Sequence, residues 1–200
     1  MDKLREQIRG CTACELCKNM PFHPIPGVGP LNAKIMLIGE APGEDEALIE
    51  EPFVGQAGKM LDRLLSEAGL VRKDLYIANL VNCRPVDGKR NRAPTAKEIK
   101  ACMPWLIKQI EIVRPKAIFT LGRLPTSRIL GLKSTAKLQD YIGIKFNRWV
   151  SCGNITTLGL DECHTTVIPN YHPSFIMQYG KKEIAQAVSV FEMGLRYLTN

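Results

Sequence analysis

Five of the seven cysteines in this chain stand at spacings that favour metal binding. Cys11, Cys14 and Cys17 form two overlapping Cys-x-x-Cys spacings, and Cys83 and Cys102 follow further along the chain. Four thiolates can bind either zinc or an iron–sulfur cluster, so the residue types alone leave both open. One Cys-x-x-Cys would also suit a redox motif, but no thioredoxin-like strand precedes this one. The spacing therefore predicts a metal site.

Three polar residues, Glu40, Asn79 and His172, lie within or just after predicted buried strands. Glu40 lies in the loop 39–43, whose glycines let the backbone approach a ligand closely. Asn79 is the polar member of an apolar run, so if it is buried it must be hydrogen-bonded. His172 is restricted by the proline that follows it. A simple turn, a loop-tying amide and a structural histidine remain the alternative interpretations of these residues.

The other two cysteines, Cys152 and Cys163, lie in an irregular segment and are interpreted as small hydrophobic residues. The chain starts without the apolar core of a signal peptide, so we expect a cytoplasmic protein with reduced thiols rather than a disulfide scaffold. No apolar run approaches the roughly 20 residues that span a bilayer, so we expect no membrane partner.

Composition limits the size of the fold and the kind of partner. The chain has 200 residues and is 45% hydrophobic, which predicts one domain over residues 1–200. The 27 Lys and Arg residues outnumber the 20 Asp and Glu residues and leave a net charge of +7. This surplus favours a polyanionic partner, and the ribosome, a membrane surface and DNA all fit it.

Predicted strands and helices alternate along the chain, which is typical of an α/β fold. We therefore expect a three-layer sandwich, with a short, mostly parallel central sheet flanked by helices. Right-handed crossovers would place Glu40, Asn79 and His172 along one edge of this sheet. The pattern predicts strands at 35–38, 75–81, 116–121 and 165–168. It predicts helices at 2–10, 57–68, 95–113 and 182–198, and a further short helix that follows Gly122 and ends at residue 130.

Three segments are predicted to lie outside this regular core. The acidic run 44–51 is expected to form a mobile, solvated loop, and residues 139–160 an irregular hairpin. The basic run 84–92 begins where a strand ends, which is where α/β proteins place their sites.

Several motifs, taken in order, resemble those of the family 4 uracil-DNA glycosylases, and the match spans nearly the whole chain. They are Gly39-Glu40-Ala41-Pro42-Gly43, Pro52-Phe53-Val54-Gly55, Asn79 four residues before Cys83, the later Cys102, and Tyr171-His172-Pro173-Ser174. The resemblance implies the uracil-DNA glycosylase fold. It also implies an enzyme that flips uracil out of single- or double-stranded DNA, hydrolyses its N-glycosidic bond and leaves an abasic site.

The resemblance further implies a [4Fe–4S] cluster as cofactor. The family's four cysteine ligands fall on Cys11, Cys14, Cys83 and Cys102 of this chain, and Cys17 is then spare. A monomer is expected.

Roles for the site residues follow from the same resemblance. Glu40 would act near the sugar and the attacking water, and His172 would donate to the departing base. Phe53 would stack on uracil and Asn79 would read its edge. Three more residues are implied in substrate binding, namely Ala41, Gly43 and Ser174. Ala41 stands where the related family 1 enzymes place an aspartate.

The chain departs from the family pattern in several places. Glu50 and Glu51 replace the Gly-Arg that family members commonly carry, and the segments 86–92 and 152–163 are longer than usual. The apolar run 175–177 is predicted to wedge into the space left by an extruded nucleotide.

Two alternative functions fit parts of the sequence. One is a non-catalytic nucleic-acid-binding protein on the same fold, against which the intact Glu40, Asn79 and His172 argue. The other is a zinc-thiolate protein that uses Cys11 and Cys14 with Cys17 and a different fourth ligand.

Overall fold

The computed structural model describes residues 2–18, 23–133, 135–148 and 165–198. Its strands are β1 (Ile35–Gly39), β2 (Tyr76–Asn79), β3 (Val86–Asp87), β4 (Arg90–Asn91), β5 (Ala117–Leu121), β6 (Phe146–Arg148) and β7 (Thr165–Asn170). Its α-helices are α1 (Asp2–Arg9), α2 (Glu44–Ile49), α3 (Gln56–Glu67), α4 (Ala96–Val113), α5 (Arg123–Leu130), α6 (Pro173–Ile176), α7 (Lys181–Glu192) and α8 (Leu195–Leu198).

The central sheet has the strand order β2-β1-β5-β7-β6. Neighbours among β2, β1, β5 and β7 are parallel, and β6 is antiparallel to β7 at the edge. Strands β3 and β4 pair separately as a small antiparallel hairpin. The predicted α/β sandwich with a short, mostly parallel sheet is therefore confirmed.

Both faces of the sheet are covered, which explains why its strands read as unbroken apolar runs. Ile35 and Leu37 of β1 join a core that includes residues of α3 and α7. Met36 and Ile38 point to the other face and join a second core with residues of α4 and α5. All four side chains are fully buried. Each contributes roughly 1.5–3 kcal/mol through burial of its apolar surface.

Helix α4 begins where the sequence predicts it to begin. Thr95 Oγ1 accepts from the Glu98 N–H at 3.3 Å, and Glu98 Oε2 accepts from the Thr95 N–H at 2.7 Å, forming a capping box. Arg92 donates to both Glu98 oxygens at 2.9 and 2.7 Å, and this pairing lowers the pKa of Glu98 to about 2. The cap thus connects the basic hairpin to the helix that carries Cys102.

The prediction of a solvated loop at 44–51 is wrong, because residues 44–49 form α2. Its Glu46 is only 8% exposed and accepts three backbone hydrogen bonds. A carboxylate that satisfies backbone donors stabilises the start of a helix, even in an acidic run.

The single closing helix predicted over 182–198 is interrupted at Gly194, between α7 and α8. The Gly194 N–H donates to Phe191 O at 2.7 Å. A Cβ at residue 194 would lie 3.1 Å from Ile35 Cδ1 and 3.2 Å from Phe119 Cε2. Glycine therefore lets the chain turn directly against the sheet core.

The hairpin predicted at 139–160 is only partly described. Residues 146–148 form β6 on the edge of the sheet. Residues 149–160, which include Cys152, lie outside the described residues, and so does Cys163. In the part of the chain that the structure describes, every helix is too short or too polar to cross a membrane.

Candidate active site

A cleft of about 870 Å³ lies at the carboxyl ends of the parallel strands. It forms there because Glu40 follows β1, Asn79 ends β2, Gly122 follows β5 and His172 follows β7. The residues predicted for catalysis and substrate binding all border it, namely Glu40, Ala41, Gly43, Phe53, Asn79, His172 and Ser174. The structure thus brings Glu40, Asn79 and His172 to one edge of the sheet, as the expected crossovers predict, while the individual roles of all seven residues stay predictions.

Asn79 presents an unsatisfied acceptor at this cleft. The residue is 5% exposed, and among the described residues its buried Oδ1 atom has no hydrogen-bond partner. Gly39 makes this placement possible, since a Cβ at residue 39 would lie 2.4 Å from Asn79 Oδ1 and 2.5 Å from Phe53 Cζ. A buried carbonyl oxygen without a partner is costly, so it favours a ligand that brings a donor.

Phe53 is held in an unusual backbone conformation beside Asn79. Its φ is +57°, in the left-handed region that costs a non-glycine residue roughly 1–2 kcal/mol. Its ring centroid lies 5.9 Å from that of His172. Gly58 is needed behind it, because a Cβ at residue 58 would lie 1.9 Å from the Phe53 carbonyl oxygen. The ring is therefore fixed by backbone packing.

Glu46 joins the two loops that carry Gly43 and Phe53. Its Oε2 atom accepts from the Gly43 N–H at 3.0 Å, and its Oε1 atom accepts from Val54 and Gly55 N–H at 2.9 and 2.8 Å. This role of Glu46 is not among those predicted from the sequence. The signal that could have found it is a glutamate three residues after Gly43, the position of the second member of a capping box.

His172 is the N-cap of α6, and its Nδ1 atom accepts from the Ser174 N–H at 3.2 Å. Ser174 Oγ lies 2.7 Å from the same nitrogen. Because a backbone N–H can only donate, Nδ1 is an acceptor and the ring proton resides on Nε2. Burial lowers the pKa of His172 to about 4, against a weaker opposing effect of Glu46. The ring is therefore a neutral donor at neutral pH.

This shifted pKa predicts a pH-dependent stability. Between pH 6.5 and about 4 the unfolded chain binds a proton at His172 that the folded chain does not. The free energy of unfolding should therefore rise with pH across this window and level off above it. His172→Gln should reduce that slope in urea unfolding, whereas exposed His23→Gln should keep it. Equal slopes for the native chain and His172→Gln would contradict the prediction.

Glu40 is partly buried at the cleft. Burial raises the pKa of its carboxyl group above the ordinary value, and Arg123 partly offsets this rise. Arg123 begins α5 and borders the same cleft, and it is not among the residues predicted from the sequence. The carboxylate is thus held near a cation and close to the space in which a substrate would lie.

The basic hairpin 84–92 contributes both structure and surface charge. Arg84 donates to Asn91 Oδ1 at 2.7 Å, and Arg92 is paired with Glu98, so both arginines hold the hairpin in place. Lys89 and Arg90 at its tip are exposed.

Four of the five predicted metal-site cysteines come together from three segments. Cys83 and Cys102 are buried in a small apolar cluster, and Cys14 and Cys17 pack against it. Trp105 Nε1 donates to Cys11 Sγ at 3.1 Å. Burial, reinforced by the neighbouring cysteines, raises the pKa of Cys83, and burial also raises that of Cys102 to about 12.

The residue types suit a group that takes four thiolates, since soft sulfur side chains from distant segments lie in or against one apolar cluster. Cys17 Sγ donates to Cys14 O at 2.8 Å, so this thiol already has a partner within the chain. Within residues 2–18, 23–133, 135–148 and 165–198, no group of three or more His, Cys, Asp or Glu side chains has the geometry of a metal site.

Comparison with known proteins gives consistent matches. The family model described as the uracil DNA glycosylase superfamily matches residues 26–193. A type-4 uracil-DNA glycosylase of Saccharolobus solfataricus is 41% identical over 175 residues, covering 87% of this chain and 76% of that protein. One of Thermotoga maritima is 36% identical over 188 residues, covering 94% and 88% of the two chains. The resemblance drawn from the motifs is thereby confirmed: this chain belongs to the type-4 uracil-DNA glycosylases of the uracil-DNA glycosylase superfamily.

Proposed function

We propose that this chain excises uracil from DNA by hydrolysing its N-glycosidic bond, leaving an abasic site. The observation that carries the proposal is the buried Oδ1 atom of Asn79, which has no partner among the described residues and lies at a cleft bordered by Phe53 and His172. Uracil offers a flat ring for Phe53 and an N3–H donor for this oxygen. The Asn79 amide can donate to uracil O4 at the same time, a pairing that cytosine does not complement.

His172 would stabilise the leaving base. Uracil departs as an anion when the C1′–N1 bond breaks, because the bonding electron pair stays on N1. The Nε2–H donor that follows from the Nδ1 hydrogen bond can reach a carbonyl oxygen of this anion. A neutral donor suits this task, since it needs no prior protonation at neutral pH.

Glu40 would act on the sugar side of the bond. As the base leaves, C1′ acquires oxocarbenium character, which a nearby carboxylate stabilises. The same carboxylate can orient a water molecule for attack on C1′ and accept one of its protons. Ala41 carries no group for either task, so Glu40 must supply both. The remaining contacts with the nucleotide would come from Gly43 and Ser174.

The target nucleotide must leave the DNA stack before it reaches this cleft, at a cost of a few kcal/mol. The sequence predicts that the run 175–177 wedges into the space left behind. For Ile176 that expectation is wrong, because its side chain is fully buried in the sheet core. Met177, 46% exposed, is the member of the run that can perform this role.

The direct test uses end-labelled oligonucleotides that contain one uracil, opposite guanine, opposite adenine or in a single strand. After incubation with the protein, alkali cleaves any abasic site, so the activity gives a shortened product. The matched thymine oligonucleotide should stay intact. If the protein binds these oligonucleotides but cleaves none of them throughout the range from pH 5 to pH 9, the result would instead support the non-catalytic alternative.

We also propose that Cys11, Cys14, Cys83 and Cys102 hold a [4Fe–4S] cluster. Such a cluster would cross-link three distant segments, so its binding energy becomes folding energy. The support is that Cys14, Cys83 and Cys102 lie in or against one apolar cluster, while Cys11 accepts from Trp105 on the helix that carries Cys102. Visible absorbance, iron content and acid-labile sulfide distinguish this cofactor from zinc.

Cys102→Ala should lose the cluster and destabilise the fold, because it removes a ligand on α4 that joins this helix to the other segments. Cys17→Ala should keep its iron, since the native Cys17 thiol donates to the Cys14 carbonyl oxygen and is not one of the four proposed ligands. Iron content and thermal unfolding measure both effects. Loss of iron in Cys17→Ala with retention in Cys11→Ala would overturn the ligand set.

We further propose that residues 1–200 act as one domain and as a cytoplasmic monomer that binds uracil-containing DNA. The two cores support the single domain, since β1 and β5 contribute to both. Light scattering of the purified protein with and without an oligonucleotide tests the oligomeric state.

A further inference from the structure

Three aromatic rings form a stack that leads from the cleft to the protein surface. The ring centroids of Tyr171 and Phe175 lie 5.3 Å apart with planes at 7°, and those of Phe175 and Tyr179 lie 4.1 Å apart at 22°. Tyr171 and Phe175 border the cleft. Tyr179 lies at the outer end and is 51% exposed, the only aromatic side chain among the exposed large hydrophobic residues of the described ranges.

The stack is held in place by its backbone and by its inner ring. Tyr171 OH lies 3.0 Å from Gln186 Oε1 on α7 and the residue is 6% exposed. The Tyr179 N–H donates to Ile176 O at 3.1 Å, and Ile176 is itself fully buried. The Tyr179 ring thus stacks on Phe175 while the residue stays 51% exposed.

Positive charge follows this ring directly. Gly180 is the N-cap of α7, and the exposed Lys181 and Lys182 occupy its first turn. Glu183 on the same turn lies near Tyr171 instead, where it adds to the effect of burial in raising the pKa of that phenol. An exposed aromatic face beside two cations matches a nucleotide, whose base stacks while its phosphate pairs with the lysines.

We propose that Tyr179 is a stacking subsite for an unpaired nucleobase that flanks the target uracil, and that Lys181 and Lys182 contact the phosphate of that nucleotide. The inference rests on the proposed uracil excision. Phe175 separates Tyr179 from the cleft interior, so a base on Tyr179 lies beside the bound uracil rather than in its place. Stacking on Tyr179 should add most to the affinity for single-stranded or locally opened DNA, because a flanking base in a duplex already stacks on its neighbours.

Tyr179→Leu tests this subsite. Leucine keeps an apolar contact with Phe175 but offers no flat face to a base. Binding to a single-stranded oligonucleotide that contains an abasic analogue should weaken by about 5- to 150-fold, the range expected for losing one stacked base. Tyr179→Phe should bind as the native chain does. The control is Val71→Ala, which alters a 50% exposed side chain before the amino end of β2, away from the cleft.

Fluorescence distinguishes stacking from a general loss of affinity. 2-Aminopurine is placed on the 5′ side or on the 3′ side of the abasic analogue. At one of these two positions its fluorescence should be quenched by the native chain and by Tyr179→Phe, but not by Tyr179→Leu. Native-like affinity and quenching in Tyr179→Leu would overturn the subsite, even if uracil excision by the native chain is intact. If the native chain excises no uracil, the proposed function itself fails. An equal loss of affinity on single strands and duplexes would also contradict the inference.

Discussion

Asn79→Asp should lose most of the uracil-excising activity and gain detectable excision of unpaired cytosine. The native Oδ1 atom is buried without a partner among the described residues, so it is ready to accept from uracil N3–H. An aspartate cannot donate to uracil O4 when ionised. Its oxygens can accept from the cytosine amino group, and in a buried site the protonated acid can donate to cytosine N3. A substrate that leaves buried polar groups of the site unpaired can be rejected by a factor of about 10⁴ in kcat/KM.

Single-turnover assays on matched oligonucleotides with one uracil or one unpaired cytosine measure this change. Asn32→Asp is the control, because Asn32 is exposed and precedes β1 at the opposite edge of the sheet. Full uracil activity together with full rejection of cytosine in Asn79→Asp would show that Asn79 is a structural amide.

Glu46→Ala should reduce both stability and turnover. It removes the acceptor of the Gly43, Val54 and Gly55 N–H groups. The Gly55 donor is buried, and those of Gly43 and Val54 are partly buried. Leaving a buried donor unpaired costs roughly 1–3 kcal/mol, and a partly buried donor costs less, so the free energy of unfolding should fall by about 3 kcal/mol. The loops carrying Glu40 and Phe53 also lose their common attachment, so kcat should fall by about 10² or more through misplacement of the reacting groups.

Two further variants make this second prediction specific. Glu46→Gln retains an acceptor oxygen for part of the network and should recover part of the stability and of kcat. Glu44→Ala removes an exposed carboxylate that pairs with Arg84 at 3.4 Å, and it should change the free energy of unfolding by less than about 1 kcal/mol. Denaturant unfolding and single-turnover excision give both quantities. If Glu46→Ala behaves like Glu44→Ala, the attachment of the two loops has another origin.

Local patterns in the sequence determined most of the elements. The apolar runs of β1 and β5 predict buried parallel strands because both faces of the sheet are covered, and the Thr95–Glu98 spacing predicts the start of α4. Strand and helix alternation then predicts which edge collects Glu40, Asn79 and His172. All of these inferences depend on neighbours within a few residues, or on the handedness of crossovers, and both are readable from the chain.

Only the tertiary structure decided which polar and apolar side chains of the loops are buried, because that depends on contacts between segments distant in sequence. The acidic run at 44–51 reads as solvated, yet Glu46 is buried because Val54 and Gly55 present their N–H groups to it across a loop. Ile176 reads as an exposed wedge, yet it packs into the core, while Tyr179 extends the aromatic stack outward. Composition cannot distinguish these outcomes, because the burial of a side chain depends on which distant backbone reaches it.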